Sequence, residues 1–453
     1  MKDVFWIIPS NLGLDEKLKS MPPSFKYKID YFYHIIDCIC RGSDYEDLDN
    51  NAAFVNLSAK QMQAFNHEYK QYIDYLLEIG LISTDRHWVV GKKSMGYKLN
   101  PFLGYDASMI QVRIKDRICR KKMFSQARLN NKRANADFPA LTKWFNSSLQ
   151  IDVKGATEEI DKLFPRPTGG IRGVRRYFRG KKNKPDAGSK RLKAQYAIQR
   201  FASKDFYFHI DDNVGRFHSN LTNIKRELRH FITYRGQKLV NIDIKSAQPL
   251  ISTLLLSKEF YQKFEAHLSI QSFPTIFNTL QLQLSKSSSL SSYIMLVECL
   301  ENIDNQFFKK YTNLVKSGSF YEVLSELVYP GKKISKAEVK LNVYRVFFSK
   351  NRSHNPFKTR FKKLFPEVYN VFALYKRKDH TCLSRLLQSI ESFVMIQSVA
   401  KRISRERPEL PIFTIHDSIA TTIGNEEYVK SIVKEEAYRI TGLRVKLGME
   451  YWG

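Results

Sequence analysis

The sequence predicts an α+β protein, and three observations carry that prediction. Leu239–Ile244 and Pro411–Thr422 are β-prone runs, each with an aspartate planted in it, Asp243 and Asp417. Amphipathic helical spacing surrounds them, most clearly after Ser335. The chain has 453 residues, 43% hydrophobic and 13% aromatic, enough for packed cores, which excludes a wholly disordered protein.

Lys and Arg number 74 against 45 Asp and Glu, a net charge of +29. An excess of that size favours a polyanionic partner, nucleic acid or a membrane surface, over a neutral or acidic small molecule. No apolar stretch approaches the roughly 20 residues of a bilayer span. The opening Met1-Lys2-Asp3-Val4-Phe5-Trp6 is broken too soon for a signal peptide. A soluble cytoplasmic protein with no membrane partner is expected. The cysteines (Cys38, Cys40, Cys119, Cys299, Cys382) are scattered and never spaced Cys-x-x-Cys, so neither a disulfide framework nor a zinc module is indicated.

Within residues 1–110, Tyr72–Ile79 reads as an amphipathic helix ending at Gly80, followed by the β-rich runs His87–Ser94 and Tyr97–Leu99 around a basic turn. This resembles the winged helices of plasmid and phage replication proteins. Helix and wing would then bind a duplex or a partner, or the segment is a small packing module. From Phe164 to Arg200, Arg172, Arg175, Arg176, Arg179, Lys181, Lys182, Lys184, Lys190, Arg191 and Lys193 stand among glycines and prolines. The stretch reads as a flexible basic linker, and with Tyr177 and Phe178 interleaved its cations suit a phosphate backbone.

The two aspartates sit where strands end. Leu239–Ile244 stops before Ser246, Ala247 and Pro249, and Pro411–Thr422 is a hairpin with His416-Asp417-Ser418 at its polar tip. Adjacent carboxylates in such places can clamp two Mg²⁺ ions about 3.5–4 Å apart. Between these blocks, Ser335-Lys336-Ala337-Glu338 has the form of a capping box, which starts a helix at Lys336 with Glu338 reaching back. Lys336, Lys340, Tyr344 and Phe348 follow at four-residue steps and share one broad face. The cations suit a triphosphate, and the rings offer a base a stacking surface.

In this order the blocks resemble motifs A, B and C of the family A DNA polymerases and their relatives, the single-subunit phage and mitochondrial RNA polymerases. The helix matches the family's Arg-x-x-x-Lys-x-x-x-Phe/Tyr-x-x-x-Tyr-Gly, with Lys336 in place of Arg and Phe348-Ser349 in place of Tyr-Gly. Gly215–Ile224 resembles the family's primer-template block, and Leu386–Ser392 its Gln-bearing palm helix. The resemblance implies a right-hand polymerase with an antiparallel-sheet palm and helical fingers. It divides the chain into an N-terminal winged-helix-like module (1–110), a basic linker part of which serves as thumb (111–200), palm (201–260), fingers (261–375, motif B helix 336–349) and palm again (376–453).

The resemblance also implies roles. Asp243 and Asp417 would hold two Mg²⁺ ions, and His416 would adjoin the primer end. Lys340, backed by Lys336, would neutralise the leaving phosphates and could serve as general acid. Tyr344, Phe348 and Gln248 would meet the nucleoside triphosphate. Arg216, Asn223 and Gln388 would touch the DNA primer-template, together with Arg172, Arg175, Arg176 and Arg179. Residues 1–200 fall short of the length of the family's proofreading exonuclease domain, so a non-proofreading enzyme serving a mobile element, plasmid or phage is expected.

The departures bear on sugar choice. Gln248 stands where the DNA polymerases carry a Glu gate against a 2′-hydroxyl and the RNA polymerases a Gly; it is bulky enough to crowd a ribose, which favours deoxynucleotides, but it lacks the gate's charge and its tyrosine partner, since Phe348 has no hydroxyl. Ser418 follows His-Asp as in the RNA polymerases. A primer-independent RNA polymerase or primase is therefore the alternative enzyme, and a non-catalytic replication initiator the alternative from another class.

Overall fold

A computed structural model describes residues 4–42, 54–91, 93–100, 108–165, 187–257 and 306–453. The run bearing Arg172, Arg175, Arg176 and Arg179 lies outside them. The chain is mixed helix and antiparallel sheet, and it divides into two compact units. One comprises Met1–His209, Ser219–Lys238 and Trp452–Gly453, the other Ile210–His218 and Leu239–Tyr451.

In the first unit, β1 (Phe5–Pro9) pairs antiparallel with β5 (Met109–Arg113). The helix Ile29–Arg41 packs on β1 with Phe32 and Ile36 inward. Its buried Asp30 accepts from Trp6 Nε1 at 2.8 Å and from the backbone amides of Lys115 and Asp116 at 3.1 and 2.6 Å. One carboxylate thus ties three segments distant in sequence, because its acceptors satisfy donors that burial would otherwise strand.

Next come β2 (Val55–Asn56), the helices Ala59–Phe65 and Tyr69–Glu78, β3 (Ile82–Thr84) and β4 (Gly96–Leu99). The strand order is β2-β4-β3, all antiparallel, with Ile82 opposite Leu99 and Val55 opposite Tyr97. The second helix stops where the reading placed its end: Gly80 takes φ 69°, which glycine adopts without a Cβ penalty. Further on, β6 (Leu149–Ile151) pairs with β9 (Ile232–Tyr234), and the first residues of β10 (Gln237–Ile244), Gln237 and Lys238, fold back on β9. β7 (Phe208–Ile210) and β8 (Phe217–Ser219) lie where the chain passes between units.

The expected flexible linker is corrected at its C-terminal end. Ala187–Ala202 is a helix that buries Leu192, Tyr196 and Phe201. Within it Arg191 is buried and paired with Asp161, so this cation is structural. Helical spacing of apolar residues outweighed the local excess of charge.

The second unit is built on a sheet of order β11-β12-β10, from β11 (Ile412–Ile415), β12 (Ser418–Thr422) and β10 beyond Leu239, with β13 (Leu447–Trp452) also paired to β10. Every residue of β11 and β12 is buried, as in a sheet covered on both faces. Around Tyr311, the helices Gln306–Lys316, Phe320–Val328, Pro356–Leu364 and Pro366–Tyr375 bring together Phe320, Phe361, Phe365 and Phe372, largely edge to face.

Candidate active site

Strand pairing places the first two acidic groups. β10 and β12 run antiparallel from Leu239 opposite Thr422 to Asp243 opposite Ser418. Ile415 faces Ser418 across the β11–β12 hairpin, leaving His416 and Asp417 as a two-residue turn. His416 takes φ 54°, the left-handed conformation that a tight hairpin requires near its tip. Ser418 Oγ donates to Ile415 O at 2.8 Å and closes the turn. Asp417 is therefore one residue from the cross-strand partner of Asp243, at adjacent strand ends whose neighbouring Cα atoms lie about 4.5–5.5 Å apart.

A third carboxylate comes from the helix Cys382–Ser392. Glu391 is 2% exposed; its Oε2 accepts from Arg216 Nη2 at 2.5 Å and its Oε1 from Gln248 Nε2 at 2.8 Å. Ser392 donates to Gly215 O at 2.7 Å, fixing the Arg216 loop on the same helix. The Asp417 carboxyl is pushed up to about 7, first by loss of water around it and then by the charge of Glu391, with Asp243 adding and Arg216 opposing. The Tyr321 hydroxyl is also raised, mainly by burial, with Asp417 contributing. The rings of His416 and His218 meet at 5.9 Å, edge to face.

Close approach of β13 completes this floor. A Cβ on Gly448 would lie 2.3 Å from Asp243 Oδ1, so only glycine leaves room for that carboxylate. Among the described residues no group of three or more His, Cys, Asp or Glu is placed to hold a metal ion. Two aspartates are nonetheless a donor set that suits Mg²⁺, which binds through one or two carboxylates, its own waters and substrate phosphates. Burial first, and the charges of Glu391 and Asp243 after it, raise the proton affinity of Asp417, and a divalent cation would relieve the second of these.

The helix Lys336–Phe348 packs against the helix that carries Glu391. Ser335 caps it by accepting from Glu338 N at 3.2 Å, while the return bond expected from Glu338 is not made. Lys340 Nζ lies 5.6 Å from the Tyr344 ring, and Tyr344 stacks on Phe348 at 5.4 Å and 23°. Lys336 pairs with Glu322 at 2.6 Å across an exposed surface. At the other end, buried Lys376 donates to Val346 O at 2.5 Å, and buried Lys358 to Lys350 O at 2.6 Å and Asn351 O at 3.0 Å. These amines occupy the carbonyls that a helix C-terminus leaves open. Burial, with Lys358 nearby, draws the Lys376 amine down to about 7.

Arg216 and Gln248 thus bond Glu391, the charges of Glu391, Arg216 and Asp243 reach Asp417, His416 adjoins Asp417 in the turn, and Lys340, Tyr344 and Phe348 share a helix packed on the one that bears Glu391. Gln388 lies on the Glu391 helix, half-buried. Asn223 belongs to the first unit, where it donates to the Tyr207 hydroxyl. Sequence reasoning assigned no role to Glu391, Lys358 or Lys376. The signal for Glu391 was a carboxylate set in the apolar run Leu386-Leu387-Gln388-Ser389-Ile390-Glu391.

No protein-family model matches the sequence, and neither does any curated protein. Among solved structures, the chain is similar to the POL domain of Pol1 from M. smegmatis in complex with DNA primer-template and dNTP. The identity is 12%, the coverage 69% of each chain and the TM-score 0.32. A score of that size lies below that of chains sharing a fold, and the functional reading rests on this chain's own geometry.

Glu391→Ala would leave the half-buried Arg216 guanidinium without this carboxylate, and urea denaturation should show a loss of up to about 3 kcal/mol. Glu391→Gln, which keeps the shape, should cost less. The Asp417 carboxyl binds its proton more tightly folded than unfolded, so in the window from about 4 to about 7 folding takes up protons. Its contribution to stability therefore falls as pH rises through that window and levels above it. Asp417→Asn should flatten this part of the pH–stability curve in metal-free buffer, and an unchanged curve would remove Asp417 from the acidic cluster.

Proposed function

We propose that this chain is a template-directed nucleotidyltransferase, a DNA polymerase of the family A type, acting on a DNA primer-template and nucleoside triphosphates. The observation that carries the reading is the register that sets Asp243 opposite Ser418 and so beside Asp417. Two strand-end aspartates, an adjoining histidine and a helix face of lysine followed by stacked rings are the parts that phosphoryl transfer between nucleotides uses.

Asp243 and Asp417 would hold Mg²⁺. When bound, the ions would supply charge neutralisation for the attacking 3′-oxygen and the triphosphate. The protein's own groups do the rest. Gly448 keeps the Asp243 carboxylate accessible, and Glu391 fixes Arg216 and Gln248 beside the pair. Lys340 faces the phosphates with Lys336 behind it. Tyr344 and Phe348, already parallel, offer the incoming base a stacking surface. His416 adjoins the primer end. Arg216, Gln388 and Asn223, with Arg172, Arg175, Arg176 and Arg179, contact the primer-template. The β2-β4-β3 sheet with its helices serves as a winged-helix module.

One observation favours ribonucleotides as the second reading. Gln248 is 7% exposed and commits its amide N–H to Glu391, while its Oε1 has no hydrogen-bond partner among the described residues. A sugar hydroxyl would satisfy that acceptor, whereas a hydrogen would leave it stranded.

Primer extension with either sugar type tests both readings. Asp243→Ala and Asp417→Ala should each abolish Mg²⁺-dependent extension while leaving DNA binding largely intact. Extension that survives both substitutions would refute the assignment.

A further inference from the structure

The turn between β3 and β4 is hydrogen-bonded at its base and carries three exposed apolar side chains. The Asp85 carboxylate accepts from His87 N at 3.0 Å, Gly96 N at 2.9 Å and Lys93 Nζ at 2.6 Å. Gly96 is required there, because a Cβ would lie 2.7 Å from Asp85 Oδ2. Val89 and Lys93 exchange two backbone hydrogen bonds of 2.9 Å, and Gly91 turns the chain at φ 69°. On this turn stand Trp88, 59% exposed, Val89, 40%, and Val90, 81%. The other three tryptophans, Trp6, Trp144 and Trp452, are 0, 7 and 1% exposed. A braced turn that projects a large ring and two branched side chains into water is a contact element, since exposure of this kind has no folding benefit.

We propose that this tip binds single-stranded nucleic acid, with Trp88 stacking on an unpaired base and Val90 wedging beside it. Charge selects the partner: Arg86 stands beside the tip, Lys93 being paired with Asp85, on a chain of net charge +29. Size argues the same way, because one ring and two valines fall far short of the roughly 800 Å² per partner of a stable protein interface, whereas a base needs only one π-face. Unpaired bases are favoured over a duplex, whose bases are already stacked on one another. The proposal does not depend on the acidic site of the second unit.

Trp88 is its own reporter. Full-length protein is titrated with a labelled oligodeoxythymidine, the matching oligoribonucleotide, and a blunt duplex, reading anisotropy for binding and tryptophan emission with acrylamide quenching for Trp88. The strand should bind, quench the emission and shield it from acrylamide, the duplex much less so, and RNA should behave as DNA does if stacking is the contact. Trp88→Ala should lose the signal and weaken strand binding about tenfold or more, with Trp88→Phe retaining most of the affinity. Wild-type affinity in Trp88→Ala, equal quenching by duplex and strand, shielding of Trp88 only by added protein or lipid vesicles, or no strand binding at all would each overturn the proposal. Failed extension by Asp243→Ala, by contrast, leaves it standing.

Discussion

The pairing of β10 with β12 is the constraint from which the rest of the site follows. Side chains alternate across a strand, so a slip of one residue would carry Asp243 to the opposite face and bury Val240 and Ile242 wrongly. Those apolar residues are fully buried while Asp243, on the other face, is only half-buried, and that difference favours the register that brings Asp243 to Ser418. The hairpin tip then has no freedom to place Asp417 elsewhere, since Ile415 and Ser418 close on each other around two residues. Core packing thus determines where the carboxylates stand.

Concentrating acid at one place in the second unit has an electrostatic cost, visible in Asp417, whose proton is held to about 7 by desolvation and neighbouring carboxylates. The Arg216–Glu391 pair limits that cost. Glu391 engages a cation and an amide at once, so its two oxygens are satisfied, and Arg216 opposes the negative charge that Glu391 and Asp243 bring to Asp417. The helix Lys336–Phe348 is governed by a related rule. Two buried ammonium groups occupy the carbonyls at and just beyond its last turn, which is the turn that presents Phe348.

Much of this was legible in the sequence. An ionisable residue in a β-prone run stands out, which is why Asp243 and Asp417 and the strands around them could be named, and Ser335 marked the helix start because its hydroxyl caps a free amide. Gly80 marked a helix end for its positive φ. Lys358 and Lys376 were not legible, because their partners are main-chain carbonyls, and Glu391 stood out only as a carboxylate among apolar residues, since its partners lie more than a hundred residues away and no local spacing encodes such contacts. The helix Ala187–Ala202 was hidden by its own charge: Arg191 reads as a solvated cation until Asp161 is seen beside it.

The claim that Asp243 and Asp417 act as one cation site is tested most directly by Mn²⁺ binding, followed by electron paramagnetic resonance at pH 8 in the absence of nucleotide and DNA. The account predicts bound Mn²⁺ in the wild-type chain and its loss in Asp243→Asn and in Asp417→Asn alike, with both variants folded. Binding that persists unchanged in either variant would contradict it.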